Sequence, residues 1–302
     1  MQKVFLLCVM AMVNVWGWDA LQTTAQVASA LNDPKVLIID VSDLENYHKE
    51  GHIHGAVRTD ISAWRIAQEK HFLLKTPDEI QNHMRSLGIN SDSNIILYGH
   101  LGAAKDLLFS TYIYWAMKSS GVKNVAIMDG GLQQWKAEKR FVLSDDPKVP
   151  EGNFTVQRIP EMVADLSYVK QNIGKVAMID ARASENYFGV LASNGVERLG
   201  HISGAMSYFW TYSITPELKV KPHEVLKNIF ADGFGLAPAQ PIVVYCTGGL
   251  ETSFNYFVLS GILGYTNVRL YDASMREWGN RQDTPMIQYK WEEFHPISEV
   301  IK

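Results

Sequence analysis

Short, largely apolar runs recur along this chain, each bounded by polar or turn-forming residues. Val36-Leu-Ile-Ile39, Ile95-Ile-Leu-Tyr98, Val125-Ala-Ile-Met128, Val176-Ala-Met-Ile179, Ile242-Val-Val-Tyr245 and Val268-Arg-Leu-Tyr271 are too short for buried helices and rich in β-branched residues, so they predict strands. Helical patterns lie between them. Thr24 to Leu31 reads as a short helix, and Thr76-Pro-Asp-Glu79 has the form of a capping box opening a helix that runs to Leu87-Gly88. Another helix is predicted from Pro222 to about Phe230, and Leu250, Phe254 and Phe257-Val258 recur at helical spacing. The alternation predicts an α/β fold with mainly parallel sheets flanked by helices on both faces.

The pattern also repeats. Asp40-Val-Ser-Asp-Leu-Glu-Asn-Tyr47 followed by Gly51-His-Ile-His-Gly-Ala56 is matched by Asp180-Ala-Arg-Ala-Ser-Glu-Asn-Tyr187 followed by Gly200-His-Ile-Ser-Gly-Ala205. Ile95-Ile-Leu-Tyr-Gly99 matches Ile242-Val-Val-Tyr-Cys246, and Asp129-Gly-Gly-Leu-Gln-Gln-Trp135 matches Asp272-Ala-Ser-Met-Arg-Glu-Trp278. Two similar domains follow. The stretch Ser144-Asp-Asp-Pro-Lys-Val-Pro-Glu-Gly152 reads as an exposed linker, which puts the expected domains at 21–145 and 146–302.

Composition adds limits. The 302 residues are 47% hydrophobic and 20% charged, as in ordinary globular proteins, and a net charge of −4 without a basic tract gives no support for a nucleic-acid or anionic-membrane partner. At the amino terminus, Lys3 precedes the apolar run Val4 to Val13, the length of a secretory core segment and short for a membrane span. Residues 1–20 are therefore expected to be a signal peptide, with Gly17 or Ala20 as cleavage site. That implies a periplasmic or secreted protein, or a cytoplasmic one if the segment stays. Its removal takes away Cys8 and leaves Cys246 as the single thiol, with no internal disulfide and no thiol-rich metal site.

Cys246 falls where a strand ends and a helix begins. The intervening Thr247-Gly248-Gly249, with Leu250, Glu251 and Thr252 after it, can turn backbone N–H groups inward as a nest that stabilises a thiolate or an anion formed on it. In open α/β sheets this strand end is where ligands bind. The first repeat has Gly99 at the same register, so it has no nucleophile and is expected to shape the cleft while the second domain carries the chemistry. Arg182 and Arg198 are the candidate cations for an anionic substrate. His52 and His201 recur in both repeats and read as structural, as do Trp135 and Trp278. Asp180 is expected to hold the loop backbone.

Together these residues resemble the tandem-domain rhodanese family of sulfurtransferases over essentially the whole chain after residue 20. The resemblance implies an inactive first domain and a Cys246 that carries a persulfide from a small anionic donor, thiosulfate or 3-mercaptopyruvate, to a thiophilic acceptor such as cyanide, a thiol or a protein. It implies no metal or organic cofactor and no stable membrane association. Family members preferring thiosulfate usually carry basic residues after the cysteine, where this chain has Thr247 and Gly248. Mercaptopyruvate users have small residues there, yet commonly an arginine where this chain has Asn186. Glu251, where Thr or Arg is usual, disfavours a dianionic donor by about 1 kcal/mol or more in a partly desolvated site. A cysteine phosphatase would need arginine at Thr252 to grip phosphate, and none is there. The remaining alternative is a non-enzymatic persulfide carrier or a binding module acting with a protein partner.

Overall fold

The computed structural model describes residues 18–100 and 103–294. Most of the expected signal segment, including Cys8 and Gly17, lies outside the described residues. The first sheet contains β1 (Leu21–Gln22), β2 (Val36–Asp40), β3 (Val57–Arg58), β6 (Asn94–Tyr98) and β7 (Asn124–Met128), with the hairpin β4 (Arg65–Gln68) and β5 (His71–Leu74) set apart from it. Its order is β1-β7-β6-β2-β3, all parallel. The second sheet takes β8 (Val163–Ala164), β9 (Ala177–Asp180), β11 (Ala205–Ser207), β12 (Ile242–Tyr245) and β13 (Val268–Tyr271) in the order β11-β9-β12-β13-β8, also all parallel. These are the same topology, read in opposite directions. The short strands β10 (His201–Ile202) and β14 (Met286–Ile287) pair antiparallel beside it.

The predicted elements form for the expected reasons. Thr76 and Glu79 cap the helix Pro77–Ser86 reciprocally, and the central strands β6 and β12 are buried on both faces, as parallel strands between helical layers must be. The duplicated histidines are structural. His52 stacks on Tyr47 and reaches the Ile53 and Asp145 carbonyls, and His201 stacks on Tyr187 and reaches the Tyr187 carbonyl and Glu292. Trp135 and Trp278 are both buried, each donating its indole N–H to a nearby carbonyl.

The linker does not hang free. Gly152 donates to the Arg85 carbonyl and Phe154 to that of Ile89, so the chain beyond residue 146 runs back along the first domain before entering the second. A Cβ at Gly152 would lie 2.0 Å from the Ile89 carbonyl oxygen, so only glycine permits that approach.

One hydrophobic core crosses between the domains. The helix Ala104–Ser119 is buried nearly all round, which explains its lack of a polar face. It packs against the helix Leu250–Tyr256 that follows Cys246, with Thr111 and Ser253 hydroxyls 2.8 Å apart and Tyr114 edge-on to Phe257. The cleft beside this seam holds the site.

Candidate active site

β12 ends at Tyr245, paired in register with Asp180 of β9, which sets Cys246 at the carboxyl edge of the second sheet. The helix Ser274–Trp278, which follows β13, fixes the loop from behind. The Met275 and Arg276 N–H groups donate to the Cys246 and Thr247 carbonyls, and the Ser274 hydroxyl accepts from the Cys246 N–H. With its carbonyls held outward, the loop turns its N–H groups to the sulfur. Gly249 N–H lies 3.1 Å from Sγ, and those of Gly248 and Thr252 also favour the anionic sulfur. Gly249 adopts φ +91°, and a Cβ there would sit 2.2 Å from Asp272 Oδ1, so glycine is required at that turn.

The thiol is nonetheless not a resting thiolate. Burial first, and then the carboxylate of Glu251, push the Cys246 pKa up to about 12, outweighing the three loop N–H groups. This corrects the expectation from the loop sequence, which shows the donors but not the desolvation. Cys246 is 1% exposed.

Cys246 forms part of the wall of a cavity of about 750 Å³ between the domains. Thr247, Gly248, Leu250, Glu251 and Asn186 line it with Cys246, and Ile61, Phe72, Leu108 and Phe109 close it from the first domain. Thr252 is fully buried beneath, its hydroxyl unpartnered. Asn186, where a cation would be usual, donates instead to the Leu191 carbonyl in the loop at the cavity edge.

Neither predicted cation lines this cavity. Arg182 is buried, and its guanidinium is taken by Asp180, the Ser193 hydroxyl and the Gly200 carbonyl. Burial opposes its charge, but the Asp180 partnership wins and raises its pKa above the usual value. Arg198 is spent on the Trp278, Gly279 and Thr284 carbonyls. Both are corrected to scaffold residues, because most of each guanidinium's donors are engaged by protein groups and neither side chain lines the cavity.

The cavity cations are Arg65 and Arg276. Arg276 donates to the Asn194 carbonyl at 3.2 Å, and no carboxylate pairs with it among the described residues. Arg65 reaches over from β4 of the first domain. It donates to the Gly248 carbonyl, lies 3.4 Å from Asp272 and is sandwiched near the Phe72 and Tyr112 rings. Asp272 is the hub of the seam, receiving the Tyr112 hydroxyl and the Leu74 N–H, each at 2.7 Å. Burial raises its pKa despite Arg65.

The repeat contained a signal for Arg276. Its counterpart in the first domain is Gln133, so the two copies differ there as they differ at Cys246 and Gly99. Arg65 had no such marker, because its hairpin has no matched copy. At Gly99 itself, an added Cβ would lie 2.6 Å from the Asp106 Cβ. Among the described residues, no group of three or more His, Cys, Asp or Glu could hold a metal ion.

Comparison with known proteins agrees with this architecture. The family model for the rhodanese-like domain matches twice, at residues 23–138 and 165–281. The chain belongs to the rhodanese-like family, as a two-domain member of its sulfurtransferases. It is 31% identical over 284 residues to the sulfur carrier protein TtuD of Thermus thermophilus, covering 89% of this chain and 97% of that one. A thiosulfate sulfurtransferase of Corynebacterium glutamicum is 28% identical, covering 89% and 90%. Among solved structures, the 3-mercaptopyruvate sulfotransferase SseA of Escherichia coli superposes with a TM-score of 0.72 at 28% identity, covering 85% of this chain and 98% of that one.

Proposed function

We propose that this sulfurtransferase moves a sulfane sulfur from a small anionic donor to a thiophilic acceptor through a persulfide on Cys246. The observation that carries this reading is the ring of loop N–H groups around Sγ in a cavity that also presents two arginines. Cys246 sulfur attacks the donor's outer sulfur, the bond from that sulfur to the rest of the donor breaks, and its electron pair leaves with the remainder as sulfite or pyruvate enolate. The N–H groups stabilise the anionic outer sulfur of the persulfide, as an oxyanion hole stabilises oxygen. An acceptor then takes that sulfur in a second half-reaction.

Charge favours a monoanionic donor. Arg276 is the cavity cation without a carboxylate partner, whereas Arg65 shares its charge with Asp272 and Glu251 opposes a second negative charge. A monocarboxylate such as 3-mercaptopyruvate therefore suits the site better than dianionic thiosulfate. The carrier reading also has an observation in its favour. Val190 and Leu191 are more than half exposed, and Leu191 sits on the cavity lining, where an apolar acceptor surface can seat.

We also propose export to the periplasm or beyond, with cleavage at Gly17 rather than Ala20. The Ala20 carbonyl accepts the Ile127 N–H beside β1, a bond that cleavage after Ala20 would lose. The mass of the mature protein decides this.

Sulfur loading tests the central reading. Wild type and Cys246→Ser are offered each donor, and intact mass is read for one added sulfur, with thiocyanate formation from cyanide as turnover. Loading of wild type alone is expected, fastest with 3-mercaptopyruvate. Turnover by Cys246→Ser would overturn the persulfide route. Loading without turnover on cyanide or small thiols would favour a carrier.

A further inference from the structure

Glu251 occupies an unusual position for a carboxylate. It lies at the start of the helix that follows Cys246 and lines the same cavity, and its Oε2 is buried with no hydrogen-bond partner. The Cys246 thiol and the Thr247 N–H both interact with this carboxyl group. A buried carboxylate oxygen without a donor is costly unless the group is used or carries a proton. The other charged groups acting on it are Asp180 and Arg182, already committed to each other, and the cavity arginines belong to Asp272 and Asn194. Among the described residues, no histidine lines the cavity.

We propose that Glu251 and Cys246 share one proton, and that Glu251 is the catalytic base that accepts it when Cys246 attacks the donor. The inference rests on the persulfide reading above and adds the proton's route. In the resting enzyme the proton sits on Sγ and the negative charge on Glu251. Two anions in contact in a desolvated site cannot both persist, so thiolate and carboxylate alternate. On attack, the S–H proton passes to Glu251 as the new S–S bond forms, and the bond from the transferred sulfur to the rest of the donor breaks. With thiosulfate, which brings no proton, the negative charge now rests on the outer sulfur of the persulfide, opposite a neutral Glu251 that keeps its proton while sulfite leaves as the dianion. With a thiol donor such as 3-mercaptopyruvate the donor's own proton stays on the transferred sulfur, the persulfide is neutral, and Glu251 hands its proton to the enolate carbon of pyruvate. The pair's titration fits this exchange, since burial raises Glu251 as it raises the thiol.

The experiment compares wild type, Glu251→Gln and Glu251→Asp in two assays across pH. One is the rate of single-turnover sulfur loading. The other is iodoacetamide alkylation of Cys246, read by peptide mass, which reports the thiolate and needs no sulfur transfer. In Glu251→Gln the repelling charge is gone, so the alkylation profile moves to lower pH by about one unit. Loading at neutral pH nevertheless falls by roughly 100-fold, the usual worth of a general base. Glu251→Asp recovers part of the loading rate. A more reactive thiol with slower transfer is a combination that a structural role does not produce.

Equal or faster loading by Glu251→Gln would overturn the proposal and leave Glu251 as a charge that only raises the thiol. Slower loading with an unmoved alkylation profile would overturn the shared proton. If wild type loads no sulfur but the alkylation profiles separate as described, the persulfide reading fails while the shared proton stands.

Discussion

Arg182 and Arg276 are both arginines of the second domain, and their surroundings give them opposite duties. Arg182 is bound inside the protein, so Arg182→Gln leaves the Asp180 carboxylate buried without its ion-pair partner. Breaking such a pair costs about 3–5 kcal/mol. A large fall in the urea midpoint is expected, with activity lost through unfolding. Arg276 makes one hydrogen bond on a partly exposed side chain. Arg276→Gln is expected to leave the urea midpoint nearly unchanged and raise KM for an anionic donor about tenfold, equivalent to about 1.4 kcal/mol. Steady-state kinetics beside a urea titration of both variants separates the two roles. An unchanged KM in Arg276→Gln would remove it from donor binding. In the sequence the two look alike, because exposure and partners are properties of the fold. Only the asymmetry between Arg276 and Gln133 marked the one that lines the cavity.

Among elements, the hairpin β4–β5 matters beyond its size. It carries Arg65 and Phe72 into the cavity and ties Leu74 to Asp272, so the first domain supplies part of the second domain's site. Tyr112 secures the same carboxylate from the helix Ala104–Ser119. Tyr112→Phe removes a hydrogen bond to a charged group and should cost about 1.5–3 kcal/mol. It should also raise KM, because Asp272 orients Arg65. The pH dependence has a definite sign. Burial lifts Asp272's folded pKa above its unfolded value, so the folded state holds the proton more tightly and stability from this residue falls as pH rises through the carboxylate range. Loss of the Tyr112 donor weakens the ionised form further and steepens that fall. Urea midpoints measured between roughly pH 4 and 7 test it.

The repeated strands, the capping box at Thr76 and the strand-Cys-loop-helix unit were legible because each rests on local spacing. The hairpin's reach across the cleft was not. It depends on contacts between residues such as Arg65 and Gly248, far apart in sequence and joined only by folding.

For the whole molecule, the continuous core means that the two domains are not independent parts. The second domain expressed alone from residue 158 would uncover the helix face around Ser253 and Phe257 that the first domain buries. It is expected to aggregate on size-exclusion chromatography and to lack sulfur transfer. A soluble, active fragment would show that the first domain contributes little to the site. Cavity, seam and loop thus form one unit, although Cys246 sits on one side of it.

The crowding at Gly99 makes the difference between the two repeats hard to erase. With the Asp106 Cβ only 2.6 Å from where a side chain would begin, a single change to cysteine meets a collision before it gains a nucleophile. Regaining a second reactive centre would require the following helix to retreat at the same time. A cysteine at position 99 therefore does not fit this chain without a shift of that helix. The first domain is thereby held to the part it has in the cleft, walling the cavity with Ile61, Phe72, Leu108 and Phe109.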